Sequence, residues 1–288
     1  MAGRPDLVIV GAASRDITPD DPRGWRLGGP ATYCSLTAAR LGLRVGCLLG
    51  VDNLAAEAEE LAMLDAAGVS LRMARLEHGP VFENIEAGGH RRQRWLSASE
   101  PIDVGDLPEE WGRVTGWLLA PVAGELGDDW AGAIPEGASI GLGWQGLLRE
   151  FSDDGWVRKL EPRASSLAAA AGLVVASIDD VDGGTQLDLL RAAAPYATIV
   201  LTAGEGGGVA LSNGKLLRYF AAPAPAVVDP TGAGDVFLAA LMTAWLLTGE
   251  PAAAGAMRFA AAAASCALEG IGLAGVPSRG QVRERLTS

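Results

Sequence analysis

Gly232, Ala233 and Gly234, residues with little or no side chain, stand directly before Asp235 in the run VDPTGAGDVFLAAL, which then turns apolar. At a helix start such residues let successive backbone N–H groups face one small anion, and the helix dipole adds partial positive charge there. A carboxylate in that first turn can take a proton from a hydroxyl while the N–H groups hold the charge developing on a transferring phosphoryl group. The chemistry these residue types point to is phosphoryl transfer to an alcohol. The same residues also fit a plainer role, a glycine-rich turn with Asp235 as a favourable charge at a helix start, and the local pattern leaves both open.

Other chemistries lack their residues. The sequence has no GxxxxGK[ST] phosphate loop, no GxSxG elbow and no HExxH, and His78 and His90 are its only histidines. GLGWQG at 141–146 spells GxGxxG, but Trp144 and Gln145 occupy places where backbone would have to approach a pyrophosphate, and no clear long helix follows. Cys34, Cys47 and Cys266 are odd in number and widely spaced, which argues against a disulfide framework or a zinc site and for small core residues. A net charge of −12 would repel a nucleic acid backbone, so an anionic substrate needs a local basic site. The start MAGRPDLVIVGA does not read as a secretory leader, and no apolar run reaches membrane-spanning length, so a cytoplasmic enzyme with no nucleic-acid or membrane partner is expected.

The elements that must position Asp235 follow from alternation. Short Val-, Ile- and Leu-rich runs at Leu7–Gly11, Val45–Leu49, Gly116–Ala120, Ser139–Leu142, Leu173–Ala176 and Thr198–Leu201 predict strands. Between and after them, helical stretches are predicted near 30–41, 53–67, 184–194, 232–248, 252–268 and 279–286. This pattern predicts an α/β fold, a doubly wound, mainly parallel sheet flanked by helices, in one domain over 1–288. Residues 71–97, with alternating side chains and a Gly88–Gly89 turn, break the pattern and predict an antiparallel excursion joined by Arg15–Leu27. The lid segments are placed near 12–27 and 71–100. Arg91, Arg92, Arg94 and Trp95 could cover a site from there, or simply keep a hairpin edge soluble.

The run Asp229-Pro230-Thr231-Gly232-Ala233-Gly234-Asp235 resembles the D-T-x-G-A-G-D signature of the ribokinase-like (PfkB) carbohydrate kinases. GGPATYCSLTAARLG at 28–42 resembles that family's N-terminal G-G-x-x-x-N-x-A-x-x-x-x-x-L-G. LTAGEGG at 201–207 resembles its T-x-G-x-x-G, and Asp16 falls where the family grips its substrate. Within the family, APVAGEL at 120–126 and IGLGWQGLLREF at 140–151 are most similar to the myo-inositol kinase branch, with its V-A-G-E and D-x-Q-x-x-x-R segments.

The resemblance implies a ribokinase-like fold with a small β lid and transfer of a phosphoryl group from ATP to a sugar or cyclic polyol. By that resemblance, Asp235 is the base, with Gly232, Ala233 and Gly234 stabilising the transferring group. Asp16, Gly28, Gly29, Tyr33, Gln145 and Arg149 bind the acceptor, and Thr202, Gly204, Gly207 and Thr231 bind the nucleotide. Asp180 serves Mg2+, and the resemblance allows a monovalent cation such as K+ and a homodimer through the lid.

The sequence departs from the family at four places. Ser177-Ile178-Asp179-Asp180 stands for N-x-x-E, Tyr33 for the sugar-binding Asn, Ala261 for the Asn near the adenine, and Gly143 for the Asp of D-x-Q. A sensor of the same fold that binds without turnover is the alternative, and the intact Asp235 argues for the enzyme.

Overall fold

The runs LVIVGA and VGCLLGV are buried at every position, as strands covered on both faces must be. The computed structural model describes residues 3–87, 90–181 and 187–287. Its strands are β1 (Leu7–Ala12), β2 (Ser14–Ile17), β3 (Trp25–Gly28), β4 (Val45–Val51), β5 (Ser70–Arg75), β6 (Val81–Ala87), β7 (His90–Ser97), β8 (Gly116–Leu119), β9 (Ser139–Gly143), β10 (Arg149–Phe151), β11 (Val157–Lys159), β12 (Leu173–Ser177), β13 (Thr198–Thr202), β14 (Gly208–Ser212) and β15 (Lys215–Tyr219). Its α-helices are α1 (Pro30–Arg40), α2 (Leu61–Ala66), α3 (Trp130–Ala133), α4 (Ser166–Ala170), α5 (Leu187–Ala193), α6 (Ala233–Thr248), α7 (Ala254–Ala267) and α8 (Arg279–Thr287).

The main sheet has nine strands in the order β15-β14-β13-β12-β9-β8-β1-β4-β5. From β13 to β5 every neighbouring pair is parallel, while β14 and β15 close one edge antiparallel. Strand order reverses direction at β1: the chain first builds outward to β4 and β5, then returns to β8 on the other side. In open sheets of this kind ligands bind beyond the carboxyl ends of the strands, at the point of reversal.

One apolar layer packs α1, α6 and α7 on one face of the sheet, with Val236 through Ala244 of α6 buried throughout. The other face is filled by Trp111, Trp117, Trp130, Trp144 and the apolar sides of α4 and α5.

A second sheet, in the order β3-β2-β6-β7, forms the lid. Arg15–Leu27 does join it, through β2 and β3. Ser70–Arg75, counted with the lid from sequence, instead pairs in parallel with β4 in the main sheet. The Gly88–Gly89 turn lies outside the described residues. The stretch 53–67, expected as one helix, splits into a short 3-10 turn at Ala55–Glu57 and α2, because Ala58 is extended (φ −66°, ψ 130°). Asp52 holds the first piece by accepting the Ala55 N–H at 2.8 Å.

The lid is fastened by aromatic packing. Phe151 of β10 lies 6.1 Å from Phe82 of β6 and 5.8 Å, edge-on, from Trp95 of β7. Arg92 stacks 3.9 Å above Trp156, and Trp95 donates its indole N–H to Ser152 O at 2.9 Å.

Helix α1 carries a polar group the core does not use. Thr37 is fully buried, and its hydroxyl has no hydrogen-bond partner among the described residues. Burying a hydroxyl without a partner costs about 1–3 kcal/mol, so Thr37→Val, which keeps the shape, should raise the urea midpoint by the equivalent of about 1 kcal/mol. A lower midpoint would show that the hydroxyl is bonded after all.

Candidate active site

The carboxyl ends of the parallel strands bring the sequence-predicted residues to one edge. Asp235 sits in the first turn of α6, half-buried, and the helix cap is Gly232 at φ 79°, in the left-handed region, with no side chain capping it. Glycine is required there twice over. Its φ is unfavourable for other residues, and a Cβ would come within 2.3 Å of the Tyr33 ring.

Asp229 braces this turn, one oxygen accepting the Thr231 N–H at 2.9 Å and the other the Gly272 N–H at 3.0 Å. The first helical bond runs from Val236 N to Gly232 O at 2.9 Å. The amides of Gly234 and Asp235 therefore precede the helical ladder and face out of its start.

Burial raises the carboxyl of Asp235 from 3.8 to about 7; the charge of Arg149 pulls it down, while Asp180 and Asp16 push it further up. These four groups thus share one electrostatic neighbourhood. Asp180, at the end of β12, accepts the Ser177 N–H at 2.9 Å and the Gln145 side-chain amide at 3.2 Å, with Arg149 at 4.0 Å. Gln145 and Arg149 are therefore drawn to the predicted metal residue, across neighbouring strands β9 and β12. Arg149 also lies 6.0 Å over the ring of Phe82, in contact with the lid.

Asp16 enters from β2, its Oδ1 accepting the Ser14 hydroxyl at 2.9 Å. Gly28 and Gly29 follow β3 into α1, and a Cβ on Gly28 would lie 2.3 Å from the Asp16 carboxylate. Tyr33 is buried, and desolvation together with Asp16, Asp229 and Asp235 pushes its phenol well above the usual range. Its ring packs beneath the turn at Gly232.

Thr202 ends β13, Gly204 lies in the 3-10 turn that follows, and Gly207 is buried where a Cβ would meet Tyr219 O at 2.2 Å. Beyond Tyr219 a cleft of about 340 Å³ runs along Phe220, Ala221 and Ala222 to Met257 and Ala261 of α7.

Among the described side chains, the lid residues Arg92, Arg94 and Trp95 fasten the lid to β10–β11 and Trp156 instead of reaching toward Asp235. Two residues had no role assigned from sequence. Asp229 was legible as an acid two residues before Thr231, the spacing of an Asx turn. Glu125 was legible only as the last residue of the V-A-G-E segment, with nothing to mark its partners: it is fully buried and accepts backbone N–H groups of Ala12, Val122 and Ala123.

Residues 165–279, which contain this turn, match the model of the pfkB family carbohydrate kinases. An inositol 3-kinase of Oryza sativa subsp. japonica is 28% identical over 317 residues, covering 92% of this chain and 76% of that protein. A pyrophosphate-dependent kinase in the ribokinase family, solved with a pyrophosphate analog and myo-inositol, superposes with a TM-score of 0.76 at 17% identity, covering 96% of this chain and 99% of that one. Arabidopsis thaliana ribokinase, solved with ribose and ATP, gives 0.71 at 19% identity, covering 99% and 100%. The family match thus spans the turn that carries Asp235, and the ribokinase-like fold is shared along almost the whole length of the chain.

Proposed function

We propose that the chain transfers the γ-phosphoryl group of ATP to a hydroxyl of a cyclic polyol, myo-inositol or a close cyclitol, with Asp235 as general base. The observation that carries this reading is Asp235 at an uncapped helix start with its carboxyl raised to about 7. A base with a pKa near the working pH is the one best matched to removing a hydroxyl proton. Ionised Asp235 accepts that proton as the acceptor oxygen forms its bond to phosphorus. The bond from phosphorus to the bridging oxygen of the donor breaks, and ADP leaves. The N–H groups at the start of α6 face the charge on the transferring group, and Arg149 adds a fixed positive charge on the acceptor side.

Asp16, Gln145 and Arg149 hold the acceptor. The Asp16 carboxylate can accept two hydrogen bonds, which vicinal ring hydroxyls supply. Tyr33 replaces the amide a furanose would use and closes the floor with an aromatic ring. The similarity to an inositol 3-kinase supports the same choice.

Thr202, Gly204, Gly207 and Thr231 face the donor phosphates and ribose, and the cleft beside Phe220 and Ala261 takes the base. Mg2+ takes oxygen ligands, and the Asp180 carboxylate, in the neighbourhood of Asp235, fits it. When bound it would offset phosphate charge.

A second reading of the donor rests on Ala261, which offers no amide to an adenine, and on the pyrophosphate-dependent neighbour. In that reading the same N–H groups receive pyrophosphate.

Asp235→Asn should keep the fold and donor binding and lose turnover by about 10²-fold or more. In the native enzyme kcat/KM should rise with pH through an apparent pKa near 7, since only the ionised carboxylate acts as base, and the residual rate of the Asn variant should lack that rise. Near-normal kcat in the variant would remove Asp235 from the mechanism.

Asp180→Ala should raise the Mg2+ concentration for half-maximal rate by about tenfold, the scale of a lost outer-shell partner. An unchanged Mg2+ titration would leave Asp180 only as a hydrogen-bond partner of Gln145.

Steady-state rates over inositols, ribose, fructose and nucleosides, with ATP and pyrophosphate as separate donors, should give a cyclitol the highest kcat/KM. A furanose preferred by tenfold, roughly 1.4 kcal/mol at the transition state, would overturn the acceptor choice and keep the kinase. Turnover with pyrophosphate alone would select the second donor.

A further inference from the structure

The loop after β8 carries a carboxylate that takes no part in the transfer step. Glu125 is 0% exposed, and no cation pairs with it among the described residues. One oxygen accepts the N–H of Ala12 at 2.9 Å and of Val122 at 3.0 Å, and the other accepts Val122 at 3.1 Å and Ala123 at 2.8 Å. Burial pushes the carboxyl up, and the backbone N–H groups pull it the other way.

These N–H groups belong to two different walls. Ala12 is the last residue of β1, and the chain runs on through Ala13 and Ser14 to Asp16. Val122 and Ala123 follow β8, where Pro121 and Val122 pack directly on Gly146. A Cβ on Gly146 would meet Pro121 O at 2.3 Å and Val122 N at 2.7 Å, so the loop and the Gln145–Leu147 turn are in backbone contact. Arg149 begins β10 just beyond that turn. β1 and β8 are the adjacent strands at which the sheet reverses its order, so the crevice that receives a ligand opens between these two loops.

We propose that Glu125 is a positioning residue: a buried carboxylate clamp tying the Asp16 wall to the Gln145–Arg149 wall, which sets acceptor affinity without touching the acceptor. The proposal rests on the reading of Asp16, Gln145 and Arg149 as acceptor residues. A carboxylate suits the task because it only accepts, through two oxygens and several lone pairs, and so can serve backbone donors from both loops at once. Buried N–H groups at the ends of two strands would otherwise lack partners at considerable cost. The clamp touches no residue of the donor side, which gives it a distinguishing signature.

Glu125→Gln keeps the volume but leaves one acceptor oxygen and turns an NH2 toward backbone N–H groups. The expected result is an acceptor KM raised tenfold or more, with the donor KM within twofold of native. A merely structural role would lower the melting temperature and the active fraction with both KM values unchanged, and that outcome overturns the clamp, as does a parallel rise of both.

Amide exchange gives a second measure that needs no substrate. In the native chain the Ala12, Val122 and Ala123 amides should be strongly protected by NMR, although Val122 and Ala123 lie outside helix and strand. In Glu125→Gln, segments 12–16 and 121–149 should exchange at least tenfold faster, while β12 and β13 stay as in the native chain. Unprotected native amides, or unchanged exchange in the variant, refute the clamp. If the native chain phosphorylates no polyol, the proposed function fails, and the exchange measurement alone decides the clamp.

Discussion

Three carboxylates and one guanidinium crowd the mouth of α6, and most of the local architecture can be read as a consequence of that charge arrangement. Like charges a few ångströms apart in a partly desolvated cleft cannot all ionise freely. The observed compromise raises Asp235 while Arg149 opposes the rise. Asp180 is kept in place by a backbone N–H and the Gln145 amide, and Asp16 by the Ser14 hydroxyl. Each neighbour is thus fixed by bonds of its own, while burial raises the carboxyl of Asp235 to about 7. The start of α6 stabilises anions at the same point, so the site favours negative charge on a ligand.

That arrangement depends on the exact height of the turn. The Tyr33 ring under Gly232 and the two bonds from Asp229 define it from below and behind. Tyr33 also belongs to α1, whose start adjoins Gly28 and Gly29 beside Asp16. One aromatic side chain therefore sets the distance between the Gly28–Gly29 turn and the helix that carries Asp235. The Asn it replaces in the family pattern would offer an amide there; Tyr33 offers a rigid ring against Gly232 and a single hydroxyl toward Gly272.

The residues whose role is local were the ones legible in the sequence. Gly232 to Asp235 announce their turn because the backbone conformation, the lack of side chains and the carboxylate are all specified within one helical turn. The parallel strands were legible because burial on both faces demands unbroken Val, Ile and Leu. β14 and β15 were not, since they form an edge whose residues, such as those of KLLRY, are mostly exposed. β5 was assigned to the lid because its alternating pattern, SLRMAR, is that of an edge strand with one wet face. The Gln145–Asp180 bond joins residues 35 apart in sequence, and only the adjacency of β9 and β12 reveals it. Glu125 stood in the V-A-G-E segment, but its task was harder to read: its partners are backbone N–H groups, which every residue but proline has, so no side-chain pattern could mark them.

The lid is where these constraints meet motion. Arg149 starts β10, and the same short hairpin supplies Phe151 to the aromatic cluster with Phe82 and Trp95. Ring pairs of this kind contribute about 0.5–1.5 kcal/mol each beyond the area they bury, which ties the hairpin to the lid. The lid sheet also reaches the main sheet through Arg15, whose guanidinium pairs with Asp52 at 2.9 Å at the end of β4. Asp16, next to Arg15 on β2, and Arg149, on the hairpin, therefore ride on lid-attached elements, while Asp235 is fixed to the body by a buried helix. Two of the groups whose charges act on Asp235 thus belong to lid-attached elements, which couples the lid's position to that carboxyl.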